Sequence, residues 1–252
     1  MSTPSALGGI LNSIGIISDI HGNITALTEV FKSLADNNVT RIFCLGDLVG
    51  KGPQSSKAID LCREKCEVVV KGNWDDMILQ NDAVDEVKWH FNQLNRVQVK
   101  YLNELPHSYD LELGNKNIRL FHSSAIGIYN RVHMYDSYEN HRNMFMNTEY
   151  TNKDIDPDVI GYGDIHGAYI KYFNGKILFN AGSVGNPLDI NQASYVIIQE
   201  NEQHNGKTLD FIFKRVLYDV ENEIEIARET KMPKFEEYER ELKTAIYRNR
   251  KE

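Results

Sequence analysis

Apolar and polar positions fall in blocks along the first third of the chain. Ile14-Gly15-Ile16-Ile17 is a short run rich in β-branched residues, the pattern of a buried strand. Ile24, Leu27, Val30, Phe31 and Leu34 follow at the spacing of one helix face. A second apolar run covers residues 40–45, a helical stretch residues 54–64, and a third strand residues 67–70. Strand, polar loop and helix, repeated in this order, predict a parallel sheet flanked by helices.

The pattern then changes. Residues 85–104 read as one helix, with Val87, Phe91, Leu94, Tyr101 and Leu102 near a helical period and Pro106 as its stop. Residues 109–113 and 117–121 read as a hairpin. Residues 123–158 are irregular and polar, with a short helix expected at 140–146. A loop of this length in a compact domain points to function or disorder. Beyond the strand at 159–163, residues 169–173 and 177–180 flank Asn174-Gly175, a hairpin turn. Residues 194–199 and 207–217 read as strands joined through Asn205-Gly206. The C-terminal half is thus expected to form a second, mixed sheet packed on the first. The chain ends in an amphipathic helix carrying Phe235, Tyr238, Leu242 and Ile246, a docking or dimerisation helix whose Arg248, Arg250 and Lys251 suit its dipole. Residues 1–13 are expected to be a flexible leader and residues 14–252 one domain, in which 123–158 form a cap or substrate loop.

Composition narrows the class. With 41% hydrophobic and 25% charged residues the chain reads as a soluble globular protein. No apolar run reaches the length of a membrane span, and no secretion signal is evident. A net charge of -8 argues against duplex nucleic acid as a partner, but not against small anionic substrates, because bound metal reverses the local sign. The three cysteines, Cys44, Cys62 and Cys66, match neither a zinc nor a redox spacing, and a reducing cytoplasm is the simplest setting.

Candidate chemistry gathers where strands end. Asp19/His21, Asp47, Asn73, His122 and Asp164/His166 each stand on a turn after a strand. Singly, Asp19 or Asp47 reads as a helix cap and Asn73 as an Asx-turn residue. Together they are a set of oxygen and nitrogen ligands without thiolate, suited to Mn, Fe or Zn. In open α/β sheets ligands bind at this end of the strands.

The succession D-x-H, G-D-x-x-x-x-G, G-N-x-D, a lone His and G-x-x-H, from Asp19 to His166, resembles the calcineurin-like metallophosphoesterases. Ala181-Gly182-Ser183-Val184-Gly185 resembles a glycine loop of their small bacterial members, which include diadenosine tetraphosphate hydrolases. The resemblance implies an α/β (α+β) four-layer sandwich of two mixed sheets flanked by helices. It implies two metal ions, one on Asp19, His21, Asp47 and His166, the other on Asp47, Asn73, His122 and the position of Asp164. Asp75 would support them, and Asp47, Asn73 and His122 are the implied catalytic residues. The family usually has His at the position of Asp164, and its phosphomonoesterases have a proton-donating His where this chain has Trp74.

The resulting expectation is a cytoplasmic dinuclear metal hydrolase in which a metal-bridging hydroxide attacks phosphorus in line. Its substrates would be phosphodiesters or nucleoside polyphosphates such as diadenosine tetraphosphate, without duplex nucleic acid or membrane, and a homo-oligomer is compatible with the sequence. Its alternatives are a serine/threonine-type protein phosphatase and a non-catalytic scaffold on the same fold. Tyr129, Arg131, His133, Tyr135, Tyr138, His141 and Arg142 offer stacking and phosphate contacts, or simply form a solvated loop. His133 or His141 would replace the missing acid. Lys51 is either a phosphate contact or, more simply, a solvated loop lysine.

Overall fold

The computed structural model describes residues 12–80, 84–203 and 206–248. In chain order its elements are β1 (Ser13–Ile17), α1 (Ile24–Asp36), β2 (Arg41–Cys44), α2 (Ser55–Lys65), β3 (Val68–Val69), α3 (Asn73–Met77), α4 (Asp85–Phe91), α5 (Arg96–Glu104), β4 (Ser108–Leu113) and β5 (Lys116–Phe121). They continue with α6 (Tyr138–Asn143), β6 (Val159–Tyr162), β7 (Tyr169–Phe173), β8 (Lys176–Asn180), β9 (Ala193–Gln203), β10 (Gly206–Val216), α7 (Val220–Glu229) and α8 (Phe235–Thr244).

Two mixed five-stranded sheets result, ordered β10-β9-β1-β2-β3 and β4-β5-β6-β8-β7. Side-chain alternation along each strand decides what each sheet faces. Ile14, Ile16, Phe43 and Val196 point inward and meet Ile118, Leu120, Val159 and Phe179 between the sheets. Ile17, Cys44 and Val69 point outward onto α1, α2 and α5. On the far side, Phe121, Ile160, Tyr162 and Leu178 pack against Ala125, Val132 and Met144 of the long irregular segment. This is the layered sandwich expected from the sequence. Among the described residues, no helix is long and apolar enough to cross a membrane.

Three local expectations change. The single helix over 85–104 is two helices, because Asn95 caps a restart: its side chain accepts from the backbone N–H of Val97 and Gln98, while Gln98 reaches back to the N–H of Asn95. The β9–β10 hairpin joins the first sheet, since β9 pairs antiparallel with β1 and completes its open edge. α7 adds a helix that the pattern did not show. Residues 1–11 of the expected leader, and Asn205, Arg250 and Lys251, lie outside the described residues.

The segment 123–158 is tied down by one buried cation. Arg119 on β5 is fully buried. Its Nε donates to Asp110 Oδ1 at 2.7 Å, Nη1 to Asn147 Oδ1 at 2.8 Å and to the Met146 carbonyl at 3.2 Å, and Nη2 to the Lys153 carbonyl at 2.6 Å. Arg119→Ala would strand Asp110 without its charge partner. The expected loss is about 3–5 kcal/mol of stability in denaturant unfolding, with faster amide exchange around residues 146–153. Unchanged stability would remove Arg119 from this role.

His90 on α4 carries a pH signature. It lies between the rings of Trp74 and Trp89, its Nδ1 meets Ser55 Oγ at 3.1 Å, and its Nε2 is buried without a partner. Burial, and then the nearby Arg248, hold its pKa down to about 4 from 6.5. Between those values the unfolded chain binds a proton that the native chain does not, so stability falls as pH falls from 6.5 to 4. The full contribution is roughly 3 kcal/mol. Unfolding of wild type and His90→Gln across that window should show the wild type losing this much more; parallel pH profiles would refute the assignment.

Candidate metal centre

The turns after β1, β2, β3, β5 and β6 converge on one point. Asp19 and His21 stand on Asp19-Ile20-His21-Gly22, and Asp164 and His166 on Asp164-Ile165-His166-Gly167, the same four residue types at the ends of two strands in two different sheets. Asp19, His21, Asp47, Asp164 and His166 all have φ between +49° and +66°. This left-handed conformation costs an L-residue about 1–2 kcal/mol. It turns these side chains back toward the strand ends. The first turn is pinned to the second loop, where Asp19 and His21 donate their backbone N–H groups to the carbonyls of Gly46 and Asp47 at 3.0 and 2.9 Å.

The two turns face each other. The N–H of Asp164 donates to Asp19 Oδ2 at 3.1 Å, and His21 Nε2 lies 3.1 Å from His166 Nε2. Each histidine's other nitrogen fixes its tautomer. Nδ1 of His21 donates to the Val49 carbonyl at 3.0 Å, Nδ1 of His122 to that of Leu45 at 2.8 Å, and Nδ1 of His166 to that of Asn186. A carbonyl only accepts, so all three imidazoles carry a proton on Nδ1, which leaves Nε2 as the nitrogen that faces inward.

Two lone pairs 3.1 Å apart repel unless a cation stands between them. Asp19 Oδ1 makes the same demand: it is buried, accepts no hydrogen bond, and lies 3.2 Å from His166 Nε2. Asp19, His21 and His166 hold ligand atoms within 4.8 Å of one another, and so do Asp19, Asp47 and His122. Asp19 therefore belongs to both groups. Buried imidazole nitrogens and carboxylates that orphan one another fit divalent metal.

Asp47 lies between the histidines. Its Oδ2 is 3.5 Å from His21 Nε2 and its Oδ1 3.5 Å from His122 Nε2. Asp75 fixes this loop by accepting from the N–H groups of Asp47, Leu48 and Gly72 at 2.8, 2.9 and 3.0 Å. Gly72 is required by approach: a Cβ there would lie 2.2 Å from Asp47 N and Oδ1. The amide of Asn73 reaches His122 Nε2 at 3.0 Å. Burial first, then His166 and Lys51, hold the His21 pKa well below 6.5. Burial, with Asp19 and Asp75, pushes that of Asp47 well up. At His122 burial acts downward, but Asp47, Asp19 and Asp164 outweigh it and raise the pKa to about 9.

Asp164 lies beside this cluster with its oxygens already held. Arg131 donates to Oδ2 from Nε at 3.0 Å and to Oδ1 from Nη2 at 2.8 Å, and Ser123 Oγ lies 3.0 Å from Oδ2, its one proton shared between this oxygen and the Asn130 carbonyl. Its Oδ1 is 3.8 Å from His122 Nε2.

The centre opens into a cavity of about 560 Å³ whose lining includes Asp47, Lys51, Trp74, Arg131, His133 and His166. Trp74 is seated on Gly50, where φ is +84° and a Cβ would lie 2.1 Å from the indole. Lys51 is not a solvated loop lysine. It is buried, donates to Asn186 Oδ1 at 2.8 Å, and lies 3.7 Å from Glu241 on α8. His141 and Arg142 stand apart from this cavity: His141 is buried with Nε2 on the His133 carbonyl, and Arg142 is exposed beside Glu139. Sequence reading missed Asn186, Tyr247 and Arg248. Tyr247 and Arg248 follow α8 and line the same cavity, while Arg248 Nε binds Glu241 Oε1 at 2.9 Å. The run of basic residues had suggested only a complement to the helix dipole.

Comparison with known proteins bears on the fold and the family. The chain is 27% identical over 256 residues to an uncharacterized protein of Methanocaldococcus jannaschii, covering 90% of this chain and 96% of that one. Its fold matches a metallophosphoesterase from Sphaerobacter thermophilus with a TM-score of 0.74 at 23% identity, over 94% of this chain and 100% of the other. It matches a hypothetical protein from Pyrococcus horikoshii with a TM-score of 0.76 at 17% identity, over 93% and 99%. Residues 13–203 match the calcineurin-like phosphoesterase superfamily domain, and the chain belongs to that family.

Proposed function

We propose that this protein is a dinuclear metal-dependent phosphoesterase acting on phosphodiesters or nucleoside polyphosphates, diadenosine tetraphosphate being one such substrate. The observation that carries the reading is Asp47, one oxygen toward His21 and the other toward His122 at equal distance. That is the disposition of a carboxylate shared between two cations. On this reading Asp19, His21, Asp47 and His166 hold one ion, and Asp47, Asn73 and His122 hold the other, with Asp164 alongside. Mn or Fe suits the donors best and Zn is compatible. Bound there, the pair supplies a nucleophile of lowered pKa and positive charge for the phosphoryl oxygens.

The chain's own residues set the substrate class. Asp47, Asn73 and His122 are the catalytic candidates, held by Asp75 and the Leu45 carbonyl. Trp74 lines the cavity, and its indole N–H can donate a hydrogen bond but is too weak an acid to protonate a leaving group. A general acid contributes about 10²–10⁴-fold, so its absence favours leaving groups that depart as stable anions. Phosphoanhydrides and activated diesters have such groups, and phosphoserine does not. His133 is the cavity histidine available as a substitute acid. Lys51 and Arg131 bring positive charge to the cavity wall.

With Mn²⁺-loaded protein, bis(p-nitrophenyl) phosphate and diadenosine tetraphosphate should be hydrolysed faster than a phosphoserine peptide. A dominant phosphopeptide rate would shift the reading to a protein phosphatase. Asp47→Asn should lower both metal content and hydrolysis, and retention of both would overturn the dinuclear reading. Asp75→Asn, which disturbs only the support of that loop, should weaken metal affinity by about 10- to 100-fold in a chelator competition. Unchanged affinity would leave Asp75 with a purely structural part.

A further inference from the structure

Arg131 is held in an unusual way for a residue of an irregular segment. Its backbone is pinned on both sides: Ser123 Oγ donates to the Asn130 carbonyl at 2.8 Å, and Tyr162 Oη to the Val132 carbonyl at 2.9 Å. Val132 is buried in the packing beneath the second sheet. The guanidinium meets Asp164 through two parallel N–H···O bonds, and Ser123 Oγ lies 3.0 Å from the same carboxylate, sharing its one proton with the Asn130 carbonyl. Asp164 is 3% exposed at its side chain, whereas Arg131 is 48% exposed. The pair thus has a buried half and an open half, and the open half lines the cavity.

A planar guanidinium has two hydrogen-bonding edges. The Nε/Nη2 edge is spent on Asp164. Among the described residues, nothing accepts a hydrogen bond from Nη1, so the edge formed by Nη1 and the second hydrogen of Nη2 is free for a ligand in the cavity. Two oxygens of a phosphate match that edge. The ion pair also fixes the side chain beforehand, so little rotamer freedom is lost when a ligand arrives. Position gives the further specification. The Asp164 carboxylate stands between the guanidinium and His122, since Oδ1 contacts Arg131 at 2.8 Å and lies 3.8 Å from His122 Nε2. A group held by Arg131 therefore sits one step outward from the metal ligands.

We infer that Arg131, splinted by Asp164, is a specificity-determining clamp for a second phosphate, the one adjacent to the phosphoryl group at the metal centre, so that the preferred substrates contain a P–O–P linkage. The inference rests on the phosphoesterase reading above and deepens it. It assigns Asp164 as the positioning residue of a guanidinium. In a substrate with two linked phosphates, Arg131 binds the outer phosphate and offsets the charge that this group carries when it leaves. A diester with a single phosphate offers the clamp nothing to hold.

Binding of two inert probes, inorganic phosphate and methylenediphosphonate, to desalted Mn²⁺-loaded protein tests this by calorimetry, with metal content measured before and after. Arg131→Ala should weaken methylenediphosphonate by about 10- to 100-fold and phosphate by less than about threefold, at unchanged metal content. Asp164→Asn should keep its metal and weaken methylenediphosphonate toward the Arg131→Ala value, and the double variant should be no weaker than Arg131→Ala. Equal losses for both probes, or no loss for either, would overturn the clamp. So would wild-type protein that prefers phosphate to the diphosphonate. Loss of a metal ion in Asp164→Asn would overturn the splint. If wild type hydrolyses none of the substrates named above while the selective diphosphonate loss persists, the clamp stands and the catalytic reading fails.

Discussion

The organising constraint of this protein is a set of buried lone pairs that face one another. Nε2 of His21 and of His166, the orphaned Oδ1 of Asp19 and the carboxylate of Asp47 converge at the buried floor of the cavity. Such an arrangement is unfavourable in a fold without a cation, and much of the surrounding structure exists to enforce it. Backbone carbonyls fix three imidazole tautomers. Left-handed turns bring the side chains inward at a cost to the backbone. Asp75 spends its whole carboxylate on the N–H groups that shape the Asp47 loop. The two sheets and their inner core supply the rigidity against which these local costs are balanced.

The candidate cluster, Asp164 included, was legible in the sequence because each member is announced locally. A β-branched run, a turn and then an Asp or His is a short-range pattern, and the strand ends are brought together by the parallel pairing that the pattern predicts. Asp19, His21, Asp47, Asn73, His122 and His166 required no knowledge of distant contacts. The two-sheet sandwich was legible for the same reason.

What the sequence did not show depends on contacts between segments far apart in the chain. The pairing of Asp164 with Arg131 joins a strand end to a polar stretch with no periodicity. The buried state of Lys51 depends on Glu241, on the other side of the molecule's sequence. The break at Asn95 was legible in principle, since its capping partner Gln98 is only three residues away, but the apolar spacing across 85–104 masked it. The placement of β9 beside β1 follows from an open sheet edge, which an isolated strand pattern does not reveal.

Lys51 also joins parts of the chain that are far apart in sequence. Its ammonium group belongs to the cavity wall, yet its counter-charge comes from Glu241 on α8, and the Tyr247 ring lies 5.3 Å away, both beyond the segment matched to the superfamily domain. The matched segment holds the clustered Asp and His side chains, and the residues after it add Tyr247 and Arg248 to the lining of the same cavity. For the same reason, replacing Glu241 by an uncharged residue, outside the matched segment, would leave Lys51 buried at the cavity wall without its counter-charge.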